Sequence, residues 1–326
     1  CAGGTQNLPW LVGEGWAKRM ILCGERVKAD TALRIGLVEE VVPSGQSLDK
    51  ALELAEMACQ QSPSSTARCK TLVMSARDGR SHDDGWRIEL AIEAHDRHGD
   101  AIIPFCHVNP FDSDALDQIR RHHSTGLFRG FGEHKVRIAY DHPLSLQIYR
   151  LCGELGWPVL LHFDYNDHHN YNIEAFASVL ESCPDTTFVG HAQSWWANVS
   201  AQVVTDPSAS DFEEYPKGPV VRGGLVDRWL GEYPNLHTDL SARSAYNALT
   251  RDPEFGKSFV QRHHRKLLWG SDCPCLDGKG NLHNGSYRDC LSGLTLPVLR
   301  DYCETDKQYD NITHRNAERL LGLSPE

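Results

Sequence analysis

An α/β fold built on a parallel sheet, preceded by a mostly helical segment, is what this sequence predicts. Three observations carry that reading. From about residue 86 amphipathic helices alternate with short apolar runs, each run ends in polar side chains, and the first 78 residues show helical spacing almost throughout. Parallel strands buried on both faces read as continuous apolar runs rather than alternating ones, and their function gathers at the carboxyl ends.

In the first part, "EGWAKRMIL" sets Ala17, Met20 and Ile21 on one helical face, and "SLDKALELAEMA" sets Leu48, Ala51, Leu52 and Ala55 on another, with Ser47 as its N-cap. Between them "GLVEEVVP" is a short strand-like run that stops at Pro43. The texture turns polar and glycine-containing at "SARDGRSHDDG", so 1–78, a junction at 79–85 and 86–326 are the expected divisions. Six strands follow: "IIPFCHVNP", "LFRGFGEHK", "PVLLHF", "TTFVGHA", "LHTDLSA" and "LLWGSDCP". The helix "DHPLSLQIYRLCGELG" carries Leu144, Ile148 and Leu151 at helical spacing with Asp141 as its cap, and "NIEAFASVLESCP" repeats the scheme before Pro184.

The totals bound the function. The chain has 326 residues, 40 % of them hydrophobic and 24 % charged, and no segment approaches the roughly 18 consecutive apolar residues of a membrane span. A net charge of -11 disfavours nucleic acid and anionic membranes. The basic cluster "RHHRK" closes a helical stretch, where cations complement the carbonyl end of the dipole. Eleven cysteines, an odd number without repeating spacing, fit reduced thiols and a cytoplasmic location. The sequence opens at Cys1 without an initiator Met, so an incomplete amino terminus is expected.

Three strands end in groups that bind divalent cations: His162 in "LLHF", His191 in "VGHA" and Asp272 in "WGSD". Imidazole nitrogen and carboxylate oxygen suit a catalytic zinc, and also iron, manganese or cobalt. "GFGEHK" places Glu133 and Lys135 on one side of a strand, either as an ion pair or, with a carbamylated lysine, as a metal bridge. "HVN" likewise puts His107 and Asn109 on one side, as ligand substitutes or as substrate-facing groups. After His191 a long connection holds Trp195 and Trp196, which either cover a planar substrate or pack under the loop, and Arg222, a candidate carboxylate anchor. "CPCLDGKGNLHNGSYRDC" raises a structural zinc reading on Cys273, Cys275, His283 and Cys290. Its Cys-x-Cys opening departs from the commoner wider spacing, so unpaired thiols are the expectation.

"PVLLHF", "FVGHAQSWW", "NLHTDLSA", "LLWGSDCP" and "NAERLLGL" together resemble the amidohydrolase superfamily, in its amidohydrolase-related group with aminocarboxymuconate-semialdehyde decarboxylase, over about 86–326. The resemblance implies a (β/α)8 TIM-type barrel, a divalent metal with zinc foremost, His162 as a metal ligand, His191 acting on metal or substrate, and Asp272 as ligand or general base. It further implies a metal-dependent hydrolase or a decarboxylase acting on a small carbonyl or carboxylate substrate. Only about six of eight units are countable, and the family's first-strand His-x-His pair has no counterpart. An incomplete barrel of impaired activity is the expectation.

"AGGTQNLP", "MILCGERVKADTALRIGLVEEVVP" and "SPSSTARCK" resemble the carboxyl-terminal part of the crotonase, or enoyl-CoA hydratase/isomerase, superfamily over about 1–78. The resemblance places that family's oxyanion hole and acid/base carboxylates upstream of this stretch, so Glu14 and Glu25 read as surface charges and the segment as inert alone. The rival readings are a non-catalytic fusion remnant or scaffold, whose open sheet edge recruits another chain, and a crotonase-related protein that needs a partner. A small-molecule substrate is the expected partner, and self-association into a homo-oligomer is left open.

Overall fold

The computed structural model describes residues 4–61, 84–165, 172–282 and 287–323, and the chain divides into two compact units, Cys1–Trp86 and Arg87–Glu326. "SPSSTARCK", most of the expected 79–85 junction, and His283 lie outside the described residues.

In the first unit, helices span Gly4–Leu22, Ala29–Arg34 and Ser47–Cys59. The longest is interrupted at Gly13, whose φ of 77° breaks the helical path. Ala17 is buried, but Ser47–Cys59 buries no residue, and Leu48 and Leu52 stand exposed. "GLVEEVVP" forms no strand: among the described residues it has no neighbouring strand to take up its backbone groups. Ser47 begins its helix rather than capping it, since Gln46 holds the cap position without a side-chain bond. Glu14 pairs with Lys18, and Glu25 binds Arg19 at 2.6 Å, both at the surface.

The second unit contains one described sheet of five parallel strands in sequence order: β1 (Phe131–His134), β2 (Val159–His162), β3 (Phe188–His191), β4 (Leu236–Asp239) and β5 (Leu267–Leu268). Helices connect them, among them Pro143–Glu154, Phe176–Ser182, Leu225–Glu232 and Pro253–His263. The α/β class with a parallel sheet is thus the observed one. The first expected strand, "IIPFCHVNP", shrinks to a single parallel bridge between Cys106 and Phe131, since its backbone meets β1 only through Cys106 and its neighbours. The helix after β1 is capped by His142, whose Nδ1 accepts from the Leu144 amide at 3.2 Å, rather than by Asp141. Pro143 follows at the first helical position, where a missing N–H costs nothing.

One apolar core joins the strands to these helices, and Phe131, Leu161, Phe163, Phe176, Phe188 and Trp195 are essentially inaccessible within it. Two glycines are needed for strands to approach this closely. Gly132 has φ of 134°, and an added Cβ would lie 2.5 Å from the Leu160 carbonyl oxygen. A Cβ on Gly190 would meet the Trp195 indole at 2.3 Å. That indole donates to the Thr238 hydroxyl at 2.8 Å, which donates in turn to the Gly190 carbonyl at 2.8 Å, so β3 and β4 are fastened just before their last residues, His191 and Asp239.

Candidate metal centre

Register brings the polar strand ends together. His162 of β2 lies directly beside His191 of β3, and Gly190 pairs with Thr238, which sets Asp239 next in line on β4. Residues in register on parallel neighbours point to the same face. The His162 and His191 rings sit 5.4 Å apart between centroids, and both are buried.

Glu133 of β1 closes the group. Its Oε1 is 2.5 Å from His162 Nδ1 and 3.4 Å from His191 Nε2. One donor atom from each of Glu133, His162 and His191 lies within 4.8 Å of the other two. Two imidazole nitrogens and a carboxylate oxygen converging from three strands form a donor set that fits a catalytic divalent cation. Asp272 stands at the rim with 63 % of its side chain exposed, its Oδ2 4.0 Å from His191 Nε2.

Asp239 and Ser241 were not singled out by the sequence, yet they decide how His191 is turned. Asp239 Oδ1 and Ser241 Oγ each lie 3.0 Å from His191 Nδ1. With Nδ1–H donating to the carboxylate, Nε2 is the nitrogen turned towards Glu133 and Asp272. This is the outer-shell arrangement that fixes the tautomer of a metal-binding histidine. The signal was present in "LHTD", another strand ending in a carboxylate. Asp164, just past β2, lies 3.9 Å from His162 Nε2.

The charges are strongly coupled. Burial pushes the His191 imidazole down, but the Asp239 carboxylate, assisted by Glu133 and Asp272, outweighs it and holds the group at about 9. Burial raises Glu133, and its bond to His162 with the nearby imidazole charges brings it down to about 2. His162 lies below its ordinary value because burial outweighs Glu133. Partial burial, with Glu133 and Asp239, pushes Asp272 up against the pull of His191, and exposure of its side chain screens that effect.

The backbone is unusual at the same place. Among the described residues four non-glycines have positive φ, and three flank or belong to the site: Ala192 after His191, Ala242 after Ser241, and Asp272 itself at 44°. Such conformations cost of order 1–3 kcal/mol each and concentrate at functional sites.

The remaining sequence candidates are placed elsewhere. Lys135 follows β1, half-buried, and its charge acts on both Glu133 and His162. His107 is buried with its ring stacked against Phe131 at 6.2 Å. Asn109 Oδ1 accepts from the Phe111 amide at 3.0 Å, closing a local turn. Trp195 and Trp196 are 0 % and 1 % exposed, so neither indole has a face to offer a substrate: the first packs on Phe163 and Trp229, the second on Phe259. Packing under the loop is the reading that fits them. Arg222 is on the surface, 3.9 Å from the exposed Glu254, and is not among the groups that gather at the strand ends.

Comparison with known proteins finds likeness to two families along the chain. The amidohydrolase family model matches residues 55–210, a stretch that includes Glu133, His162 and His191, and the enoyl-CoA hydratase/isomerase model matches residues 1–98. The chain therefore carries an amidohydrolase-like region joined to a crotonase-like one, and Asp239, Ser241 and Asp272 lie beyond the matched stretch. A short-chain-enoyl-CoA hydratase of Clostridium acetobutylicum is 46 % identical over 61 residues, 19 % of this chain and 23 % of that protein. This chain thus spans about a quarter of the length of that curated relative. DspI of Pseudomonas aeruginosa, a solved structure, is 54 % identical over 30 % of this chain and 40 % of its own, with a TM-score of 0.25. An uncharacterised TIM-barrel protein from Bordetella bronchiseptica is 17 % identical over 72 % of each chain, with a TM-score of 0.47.

Proposed function

We propose that residues 86–326 act as a metal-dependent hydrolase of amidohydrolase type on a small carbonyl or carboxylate substrate, with decarboxylation at the same site as the nearest variant. The observation that carries this reading is the convergence of Glu133, His162 and His191 within 4.8 Å at adjoining strand ends. The amidohydrolase match over residues 55–210 supports it.

In this reading Glu133, His162 and His191 hold the cation, and zinc suits the donor set. When bound, the metal supplies Lewis acidity to a substrate oxygen. Asp239 and Ser241 keep the His191 ring oriented through Nδ1. Asp272, exposed and 4.0 Å from His191, is placed to take a proton at its Oδ2 and pass it to solvent. Among the described residues the strands hold no counterpart of the family's His-x-His pair, so we infer a cation held less tightly and turnover that depends on added metal.

Steady-state kinetics of the zinc-supplemented protein on a panel of small lactones, cyclic amides and aryl carboxylates test the proposal. Asp272→Asn is expected to lower kcat by about 10²- to 10⁴-fold with KM little changed, the size of general acid/base contributions. Undiminished turnover by Asp272→Asn would remove its role. Turnover indifferent to chelation would remove the metal.

A further inference from the structure

We infer that Cys273, Cys275 and Cys290 form a second metal site, a three-sulfur centre for a soft divalent cation of the zinc class, separate from the Glu133 group. Their sulfur atoms all lie within 4.8 Å of one another. Spacing alone did not favour this, because Cys-x-Cys is narrow and Cys290 is distant in sequence. The fold supplies what the spacing lacks.

Backbone contacts tie the described residues 276–282 to residues 287 and 288. Leu276 donates its amide to the Asn281 carbonyl at 2.8 Å, and Arg288 donates to the Gly280 carbonyl at 2.8 Å. Asn281 and Tyr287 form an antiparallel bridge. Gly280 is required there, with φ of 108° and a notional Cβ only 2.1 Å from the Arg288 carbonyl oxygen. Asp277 tightens the near side by accepting from the Lys279 amide at 2.9 Å and the Asn281 side chain at 2.5 Å. This closure delivers Cys290 to the Cys-x-Cys pair. Cys290 is also the N-cap residue of the helix Leu291–Tyr302, so that helix fixes its place.

The geometry fits a metal better than a bond between sulfurs. Cys273 and Cys275 sulfurs are 3.0 Å apart, well beyond the roughly 2.05 Å of a disulfide. Two sulfurs each about 2.3 Å from a tetrahedral zinc stand roughly 3.8 Å apart, within the 4.8 Å envelope of the trio after a small side-chain rotation. All-sulfur donors select soft cations over magnesium or calcium. Cys273 and Cys275 are half-buried, so an ion can reach them, and among the described residues no fourth donor joins the three. The other described cysteines do not join the cluster. Binding displaces the thiol protons, so uptake weakens as pH falls.

The test is a titration of the full chain with Cd²⁺, which develops sulfur-to-metal charge-transfer absorption in the ultraviolet. One equivalent is expected to saturate the band, and zinc to abolish it by competition. Cys290→Ser, checked for folding by circular dichroism, should lose the band, whereas Cys303→Ser should keep it. His162→Ala should also keep it, which separates this site from the Glu133 centre. No band in the wild-type protein, or a band that survives in Cys290→Ser, overturns the inference. So does a disulfide among the three that persists under reductant.

Discussion

Replacing Asp239 by Asn removes one charge and little volume, and its effects follow from the surroundings of His191. The Asp239 carboxylate is the largest influence raising that imidazole from 6.5 to about 9 against the downward push of burial. A rise of that size is worth a few kcal/mol of preference for the charged ring. Without the charge, burial is opposed by Glu133 and Asp272, and His191 should titrate well below 9. Because the folded value is raised, the stability it confers is fully present below the unfolded value of 6.5 and is lost as pH rises through about 9. The variant should therefore be less stable than wild type at pH 6 and nearly equal to it above pH 9. Metal affinity at the Glu133 centre should fall about 10- to 100-fold, as for other outer-shell carboxylates. Proton NMR of the metal-free protein, with the His191 resonance assigned by its absence in His191→Ala, reads the titration directly. A His191 that still titrates near 9 in Asp239→Asn would refute the reasoning.

Other perturbations probe the scaffold. Gly190→Ala drives a methyl to within 2.3 Å of the Trp195 indole, and overpacking of that kind costs about 1–3 kcal/mol or more, a fall in Tm of several degrees by calorimetry. An unchanged Tm would show that the indole does not rest on β3. Asp227 accepts from His263 Nε2 at 2.7 Å and Arg262 Nη1 at 2.5 Å. Burial raises its carboxyl, but those partners hold it below the ordinary aspartate value. Its stability is present above the unfolded value and lost as pH falls through the folded one, so Asp227→Asn should cost about 1–3 kcal/mol at pH 7. Urea denaturation should show that difference closing in acid; a difference independent of pH would contradict the assignment.

Much of the framework was legible because buried parallel strands are short apolar runs that stop at polar residues. "VLLH" and "FVGH" show that pattern without a neighbour in view. What the pattern cannot show is which chain lies alongside. "IIPFCHVNP" is as apolar as the others but finds only a bridge, and "GLVEEVVP" finds no partner among the described residues. Register is equally hidden, so the direct pairing of His162 with His191 and the place of Asp239 beside them emerge only from the sheet. The sequence left the two tryptophans open between covering a substrate and packing under the loop, and the small Gly190 beneath one of them lets it sink into the core. The three cysteines depend on closure of a loop whose path no local spacing encodes.

Whether Glu133, His162 and His191 hold one cation is read by zinc bound at equilibrium. With Cys273, Cys275 and Cys290 all changed to Ser to silence the sulfur cluster, the protein dialysed against supplemented free zinc should bind about one equivalent, and adding Glu133→Gln with His162→Ala should reduce this to about a tenth or less. Equal zinc in the two proteins, or none in the first, would show that these three side chains hold no metal.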